Sequence, residues 1–455
     1  MKVIVVGLGR TGLMLIASMA SENYDIVVID KDRKLINEVT DRYSVNGIVG
    51  SGASRETLIA AGATTADAIV CLTPIDEINL LSCMQAKNLG TRFAAARITM
   101  PDFVKEREEL KKEYRIDMII TPREDVADEI YDNIGMPGYT KLVGSWRNGI
   151  HIMDLNVLPD SVLCGRSLLD IKKSSKADML VVAVMRNDKL TIPDGNFVVE
   201  AGDNLSVVIS KNEFAETLES LGIRRQKVKK VMIVGGNSIA ESLMERMIND
   251  GYAVTVLEDR PAKCRALMER FPNSRILCTG EGELLEILKE EHLTDMDMVV
   301  SLNGSDEKNL VISMFSWSCH IPCVITYVEV PEHLQLLHKV NIDITVSSVE
   351  TAALRALRFI RRHDSDQTMN EVGKFYIVAE GQAEIRELVA GADFKLLDIA
   401  FKEKAFKIKK NVLIAAIFHN GELIVPSGNT TIQKGDQVII ATPRKQKIRI
   451  LNDIV

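Results

Sequence analysis

Three glycines, Gly7, Gly9 and Gly12, followed about 20 residues later by the carboxylate of Asp30, are the residues here with the clearest chemical use. Gly7 permits a tight turn, Gly9 leaves room for a pyrophosphate to approach the backbone, and Gly12 lets the following helix pack closely on a sheet. Asp30 can accept hydrogen bonds from a ribose 2′-hydroxyl and would repel a 2′-phosphate, so the set favours NAD or an adenosine nucleotide over NADP. Arg10 lies inside the turn, where it either contacts the pyrophosphate or faces solvent; a cation at a helix N-terminus is unfavourable without an anion nearby. Small residues at Gly50-Ser51-Gly52 could admit the adenine, while Thr73 and Arg97 fall at the ends of later apolar runs.

Those residues need an open parallel sheet behind them. Val3 to Val6 is an uninterrupted apolar run, as a strand buried on both faces requires, and a helical period through Leu13, Ile16 and Ala20 follows the glycine turn. Further strands are predicted over Ile26–Asp30, Val45–Val49, Ala68–Leu72 and Phe93–Ala96, and a long helix over Arg123 to Asn133. Gly144 to Arg147 reads as a crossover or linker. The predicted fold is α/β, a doubly wound Rossmann-like parallel sheet with its ligand edge at the strand C-termini.

The plan is written twice. Val3-Ile4-Val5-Val6-Gly7-Leu8-Gly9-Arg10-Thr11-Gly12 is answered by Val231-Met232-Ile233-Val234-Gly235-Gly236-Asn237-Ser238-Ile239-Ala240, and Asp30 by Glu258 at the same interval. Asp76-Glu77-Ile78-Asn79 returns as Asp306-Glu307-Lys308-Asn309. A third echo joins Ala183–Gly195 to Ala416–Gly428, with alternating strands and Pro-x-Gly turns typical of a small α/β domain. Four domains are expected: Rossmann-like folds at 1–135 and 226–365, each followed by a small domain, at 136–225 and 366–455. In the second Rossmann-like copy Asn237 replaces the glycine that admits pyrophosphate, although Ala240 is a permitted change and Glu258 keeps the ribose acceptor. That copy reads equally as a ligand-free structural domain or as a weak or modified nucleotide site.

A formal net charge of −7 disfavours nucleic-acid backbones and anionic membranes. The chain starts directly on its first strand, lacks a bilayer-length apolar run, and carries seven cysteines without a tight framework, so a cytoplasmic protein with reduced thiols is expected. Cys319-His320-Ile321-Pro322-Cys323 lacks a second ligand pair and reads as a helix end followed by a strand, not a metal site. Neither a metal-binding helix, a nucleophile elbow nor a Walker A turn is present, and the isolated His151 and His419 read as polar surface residues. No catalytic residue is assigned.

The Val-Gly-Leu-Gly-Arg-Thr-Gly turn, Asp30, the Asp-Glu-x-Asn segments and the paired Pro-x-Gly…Gly-Asp domains together resemble the RCK, or KTN, family across essentially the whole chain. The resemblance implies Rossmann-like N-domains with small C-domains, assembled as dimers or tetramers into a ring on the cytoplasmic face of a TrkH/TrkG-type membrane potassium-transport subunit. It implies binding of NAD(H), and of ATP or ADP, without turnover. The implied nucleotide positions are Gly7, Leu8, Gly9, Arg10, Thr11, Asp30, Ser51, Gly52, Thr73 and Arg97, with Gly235, Gly236, Asn237, Ser238, Ile239 and Glu258 as their second-copy counterparts. The expected function is a nucleotide-binding subunit that gates potassium uptake. The alternatives are an NAD-dependent oxidoreductase, which would share the turn and Asp30 but need a proton donor, and a structural adaptor with remnant sites.

Overall fold

The computed structural model describes residues 1–455 apart from 21, 23, 138–139, 147–148, 175–178, 280–283, 331, 334–343, 365–374, 447 and 449. Arg147 and Gly280 therefore lie outside the described residues. In chain order, β1 (Lys2–Val6), β2 (Asp25–Asp30), β3 (Asn46–Val49), β4 (Ala68–Cys71), β5 (Phe93–Arg97) and β6 (Met118–Ile120) form a parallel sheet ordered β3-β2-β1-β4-β5-β6. A second sheet, antiparallel and ordered β10-β9-β11-β8-β7, comprises β7 (Thr140–Trp146), β8 (Ile150–Asn156), β9 (Met179–Arg186), β10 (Lys189–Thr191) and β11 (Asn204–Ser210). The pair then repeats. β12 (Lys230–Val234), β13 (Ala253–Glu258), β14 (Arg275–Cys278), β15 (Met298–Ser301), β16 (Cys323–Tyr327) and β17 (Ile344–Val346) are ordered β14-β13-β12-β15-β16-β17. β18 (Phe375–Val378), β19 (Ala383–Val389), β20 (Leu413–His419), β21 (Glu422–Ile424) and β22 (Gln437–Pro443) are ordered β18-β19-β22-β20-β21.

By contacts the chain forms two compact units, Met1–Ile134 with Lys227–Asp366 and Gly135–Gln226 with Gln367–Val455. In the second unit the duplication extends to an irregularity: the β9–β11 ladder slips at Ser206/Val207, and the β20–β22 ladder slips at Ile414/Ala416, the matching place. A bulge repeated at one register position is part of the fold, not a defect. Ile150, Ile152 and Val182 share one core with Ile385, Ala415 and Phe418, so the two small sheets bury their apolar faces together. Gly144 corrects the linker expectation, because it lies within β7. A Cβ there would come 1.9 Å from the Tyr376 ring, whose hydroxyl donates to the Ser145 carbonyl at 2.7 Å. The strand is thus recruited by a partner 231 residues away, of which the local sequence gives no sign.

The first unit pairs the two Rossmann-like folds by exchanging helices. Its relevant helices are α1 (Arg10–Met19), α2 (Asp76–Leu89), α3 (Pro122–Asp132), α4 (Ser238–Asn249), α5 (Pro261–Arg270), α6 (Asp306–Ser318) and α7 (Ser348–Arg362). The helix after the sixth strand of each fold leaves its own sheet: α3 packs on α4, α7 packs on α1, and α3 meets α7 between them. Ala352, Ala353 and Ala356 on α7 are buried and small, which allows close approach of a neighbouring backbone. Ion pairs Arg246–Asp128, Arg355–Asp125 and Arg361–Glu22 join the copies, as does the Tyr131 hydroxyl donating to Asp250.

Asp125 is the buried carboxylate of this set. Its Oδ1 lies 2.5 Å from Arg355 Nη2, and its buried Oδ2 has no hydrogen-bond partner among the described residues. Burial pushes the carboxyl up from 3.8 to about 7, outweighing the lowering effect of Arg355. A carboxyl raised in the folded state adds stability that is fully present below its unfolded pKa and is lost as pH rises through the folded one. Between about pH 5 and 8 the protein should therefore lose on the order of 2 kcal/mol of unfolding free energy from this group. Asp125→Asn should remove most of that slope in thermal melts; equal slopes for the two proteins would exclude the assignment.

Candidate nucleotide site

The first cleft is built from backbone. Gly7 sits at φ +95°, and a Cβ on it would meet the Thr73 amide nitrogen at 2.9 Å, so the turn and the end of β4 touch only because the residue is glycine. Gly12 is equally constrained, since its Cβ would fall 2.0 Å from the Gly7 carbonyl oxygen. Gly9 is different. Its φ of −66° suits any residue, and no atom lies within 4 Å of its Cβ position. Nothing in the fold demands glycine there, and the space faces the start of α1, whose first turn has no side-chain cap. Uncapped N–H groups at a helix start, approachable over a glycine, fit a pyrophosphate.

Asp30 closes the turn. Its Oδ2 accepts from the Leu8 amide at 2.7 Å and its Oδ1 from the Asp32 amide at 2.9 Å, which fixes the carboxylate at the ligand edge with acceptor capacity remaining. Ser51 and Gly52 follow β3 beside it. The Gly52 glycine is needed for packing, because a Cβ would meet Val6 at 2.3 Å, and Ser51 Oγ accepts from the Ala53 amide at 3.3 Å. Thr73 and Arg97 are joined by a residue that sequence reasoning saw only as an echo. Buried Asn79 accepts from the Thr73 amide at 2.9 Å and donates to the Thr73 and Arg97 carbonyls, both at 2.9 Å. Asp76 similarly accepts from the Thr99 and Met100 amides at 2.7 and 2.6 Å. Leu8 and Thr11 are buried. Arg97 is half-buried, its Nε without a partner among the described residues; burial lowers its pKa, with Asp76 opposing. Arg10 points elsewhere: it pairs with Glu329 of the second copy at 3.3 Å, both side chains half exposed.

The second cleft keeps the backbone plan and fills it from within. Gly235 has φ +107° against Leu302 and Asn303, and Asn309 repeats the backbone bonds of Asn79, to the Asn303 amide and to the Asn303 and Tyr327 carbonyls, without the bond that Asn79 accepts from the Thr73 hydroxyl. Asn237 takes the helix start for itself: its Oδ1 accepts from the Ile239 and Ala240 amides at 2.9 and 3.1 Å, and its Nδ2 donates to the Leu302 carbonyl. Glu258 accepts from the Gly236 amide at 2.8 Å, and Arg260 binds it through Nε at 2.7 Å and Nη2 at 3.0 Å. Burial alone would raise the Glu258 pKa, but the bonds from Arg260 and Gly236 bring it down to about 2. The change from Leu8 to Gly236 goes with the longer acid, since a Cβ at 236 would sit 3.0 Å from Glu258 Oε2. Ser238 lines a small cavity with Asn303, Asp306 and Glu329, into which Arg123 enters from α3; Ile239 is buried beneath it. Arg123 and Arg260 were not anticipated from sequence.

The isolated histidines are partly buried and bonded, not free surface groups. His419 Nδ1 lies 2.6 Å from Asp436 Oδ1, where the first small domain has a two-pronged Arg186–Asp203 pair, and His151 meets Ser145 Oγ at 2.6 Å. Cys319 ends α6 and Cys323 opens β16, as expected of that segment. Among the described residues no cluster of His, Cys, Asp or Glu could hold a metal ion, and no helix is long and apolar enough to cross a membrane.

The chain matches the TrkA-N domain over residues 3–122 and 231–348 and the TrkA-C domain over 152–222 and 385–452. It is 26% identical over 453 residues to the Trk system potassium uptake protein TrkA of Haemophilus influenzae, covering 98% of this chain and 97% of that one. Among solved structures it resembles the GsuK RCK domain, with a TM-score of 0.60 at 14% identity over 97% of this chain and 92% of that one. It also resembles a GsuK channel bound to NAD, with a TM-score of 0.59 at 13% identity over 97% and 76%. At these identities the structural likeness is one of fold.

The two glycines of the first turn give opposite expectations. Gly9→Ala should change unfolding free energy by less than about 1 kcal/mol and yet weaken nucleotide binding, because only a ligand needs the space. Gly7→Ala should cost more than about 2 kcal/mol through its positive φ and the Thr73 contact. Thermal melts and calorimetric titration with NADH distinguish them, and unchanged NADH binding in Gly9→Ala would remove the pyrophosphate assignment.

Proposed function

Because this chain belongs to the TrkA family, with two TrkA-N and two TrkA-C domains, we propose that it is a nucleotide-binding regulatory subunit that gates a membrane potassium uptake system. The reading places it at the cytoplasmic face of the membrane, held there by a TrkH/TrkG-type transport subunit, as a homo-oligomer of two or four chains. It works by binding and not by turnover. The observation that carries it is the contrast between the clefts. In the first, helix N–H groups and Asp30 are presented outward; in the second, Asn237 and Arg260 occupy the same two devices. Gly7, Leu8, Gly9, Thr11, Asp30, Ser51, Gly52, Thr73 and Arg97 are thus assigned to the regulatory nucleotide, NAD(H) or an adenosine di- or triphosphate, and Arg10 reaches it only by leaving Glu329. NAD is supported by Asp30, whose fixed carboxylate can accept from a ribose 2′-hydroxyl and would repel a 2′-phosphate. The second set, Gly235, Gly236, Asn237, Ser238, Ile239 and Glu258, is assigned to holding its own fold.

A regulatory ligand must favour one conformation over another, and shifting a two-state balance from 1:99 to 99:1 takes about 5.5 kcal/mol of differential binding. The exchanged helices provide a route, since α7 of the second copy rests on α1, the helix whose start would receive the phosphates.

Asp30→Ala should weaken NADH binding roughly 10- to 100-fold, the worth of about 1.5–3 kcal/mol in hydrogen bonds to a charged group. Glu258→Gln should leave it within about twofold, because Glu258 is committed to Arg260. Titration calorimetry reads both, and equal losses in the two variants would reject the division of labour. For the function itself, the chain co-purified with a TrkH-type subunit and reconstituted in vesicles should change potassium flux on addition of at least one of NAD, NADH, ATP or ADP. Identical flux in every nucleotide would leave a structural adaptor, and sustained NADH oxidation would make it an enzyme.

A further inference from the structure

Of the seven cysteines, two pairs bring their sulfurs together. Cys71 and Cys83, 3.5 Å apart, are both fully buried, behind the first sheet. Cys264 and Cys278, 2.6 Å apart, are placed differently: Cys264 is buried in the first turn of α5, while Cys278 is exposed at the end of β14, the edge strand. We propose that Cys264 and Cys278 are a redox-active dithiol, which a peroxide closes to a disulfide at the rim of the second cleft.

The placement carries the argument. Cys278 is in parallel register with Glu258, and the Cys264 thiol also reaches the Glu258 backbone carbonyl at 3.4 Å, so the pair adjoins the residue whose carboxylate Arg260 covers. The first copy cannot do this. Register puts Val49 opposite Asp30, and the corresponding helix carries Ile36, so hydrocarbon stands where the second copy has thiols. A thiol pair with one accessible and one sheltered member suits stepwise oxidation, because exposure decides which sulfur meets the oxidant first. Burial, Cys278 and Glu258 push the Cys264 thiol up to about 12, which keeps it protonated until its neighbour has reacted.

The chemistry balances as follows. The Cys278 thiolate attacks one oxygen of hydrogen peroxide, the O–O bond breaks, and Cys278 sulfenic acid and hydroxide result. The Cys264 sulfur then attacks the Cys278 sulfur, the S–O bond breaks, and the Cys264 proton leaves with the departing oxygen as water. Two thiols lose two electrons and two protons, and the peroxide is reduced to two waters. The new bond fastens the end of β14 to the first turn of α5, and so fixes Arg260, the N-cap of that helix, over Glu258.

The full-length protein, treated with stoichiometric hydrogen peroxide, alkylated in denaturant and digested without reduction, tests this. A cross-linked peptide pair holding Cys264 and Cys278 is expected, lighter by two hydrogens than the two thiol peptides and released by dithiothreitol. It should be absent from Cys264→Ser and Cys278→Ser, while Cys71 and Cys83 are recovered alkylated. The digest of the unsubstituted protein decides the matter even if a variant does not fold. Recovery of both Cys264 and Cys278 alkylated, oxidation of Cys278 to sulfinic acid beside a free Cys264 thiol, or bridging of Cys71 to Cys83 in their place would overturn the proposal.

Discussion

Two buried carboxamides hold the ligand edges of this protein in place. Asn79 and Asn309 each satisfy backbone groups at the ends of two neighbouring parallel strands, where the ladder has stopped and orphaned amides would otherwise be buried. By fixing the Thr73 peptide, Asn79 fixes the surface against which Gly7 turns, and the Gly7 turn in turn aims the start of α1. The glycine motif, the strand ends and the acid at β2 are therefore one mechanical unit. The second copy retains the backbone bonds of this framework, although its chemistry has changed.

What has changed is who satisfies the polar groups. A helix start and a fixed carboxylate need partners, and partners come either from a ligand or from the chain. Asn237 and Arg260 are short-range answers, reaching the next turn and a carboxylate two residues away. Such contacts are held by the local backbone, so a nucleotide competing for them would have to displace bonds already made.

Much of the fold was legible because it is periodic or repeated: buried apolar strands, the glycine turns, and echoes that locate a second copy. The recognition of RCK-type domains rested on the same residues and agrees with the TrkA-N and TrkA-C matches. The rest depends on contacts that sequence spacing does not carry. The Asp-Glu-x-Asn echo was visible, but its purpose lies in bonds to residues 18 and 23 positions away. Gly144 read as linker because β7 is held by Tyr376 and by β8, not by its own alternation. His419 read as exposed because Asp436, which binds it, is reached only through the β20–β22 pairing. Arg260 sits two residues from Glu258, yet only its side-chain direction turns a neighbour into a cap.

The exchange of crossover helices between the two Rossmann-like copies has a genetic consequence. In a symmetric dimer of identical subunits, any substitution is expressed in both clefts at once, and a change that plugs one plugs the other. Joining the partners in one chain removes that coupling. Each cleft then answers to its own codons, so an asparagine can cap one helix start while the other keeps a glycine and no side-chain cap, in a ratio fixed at synthesis.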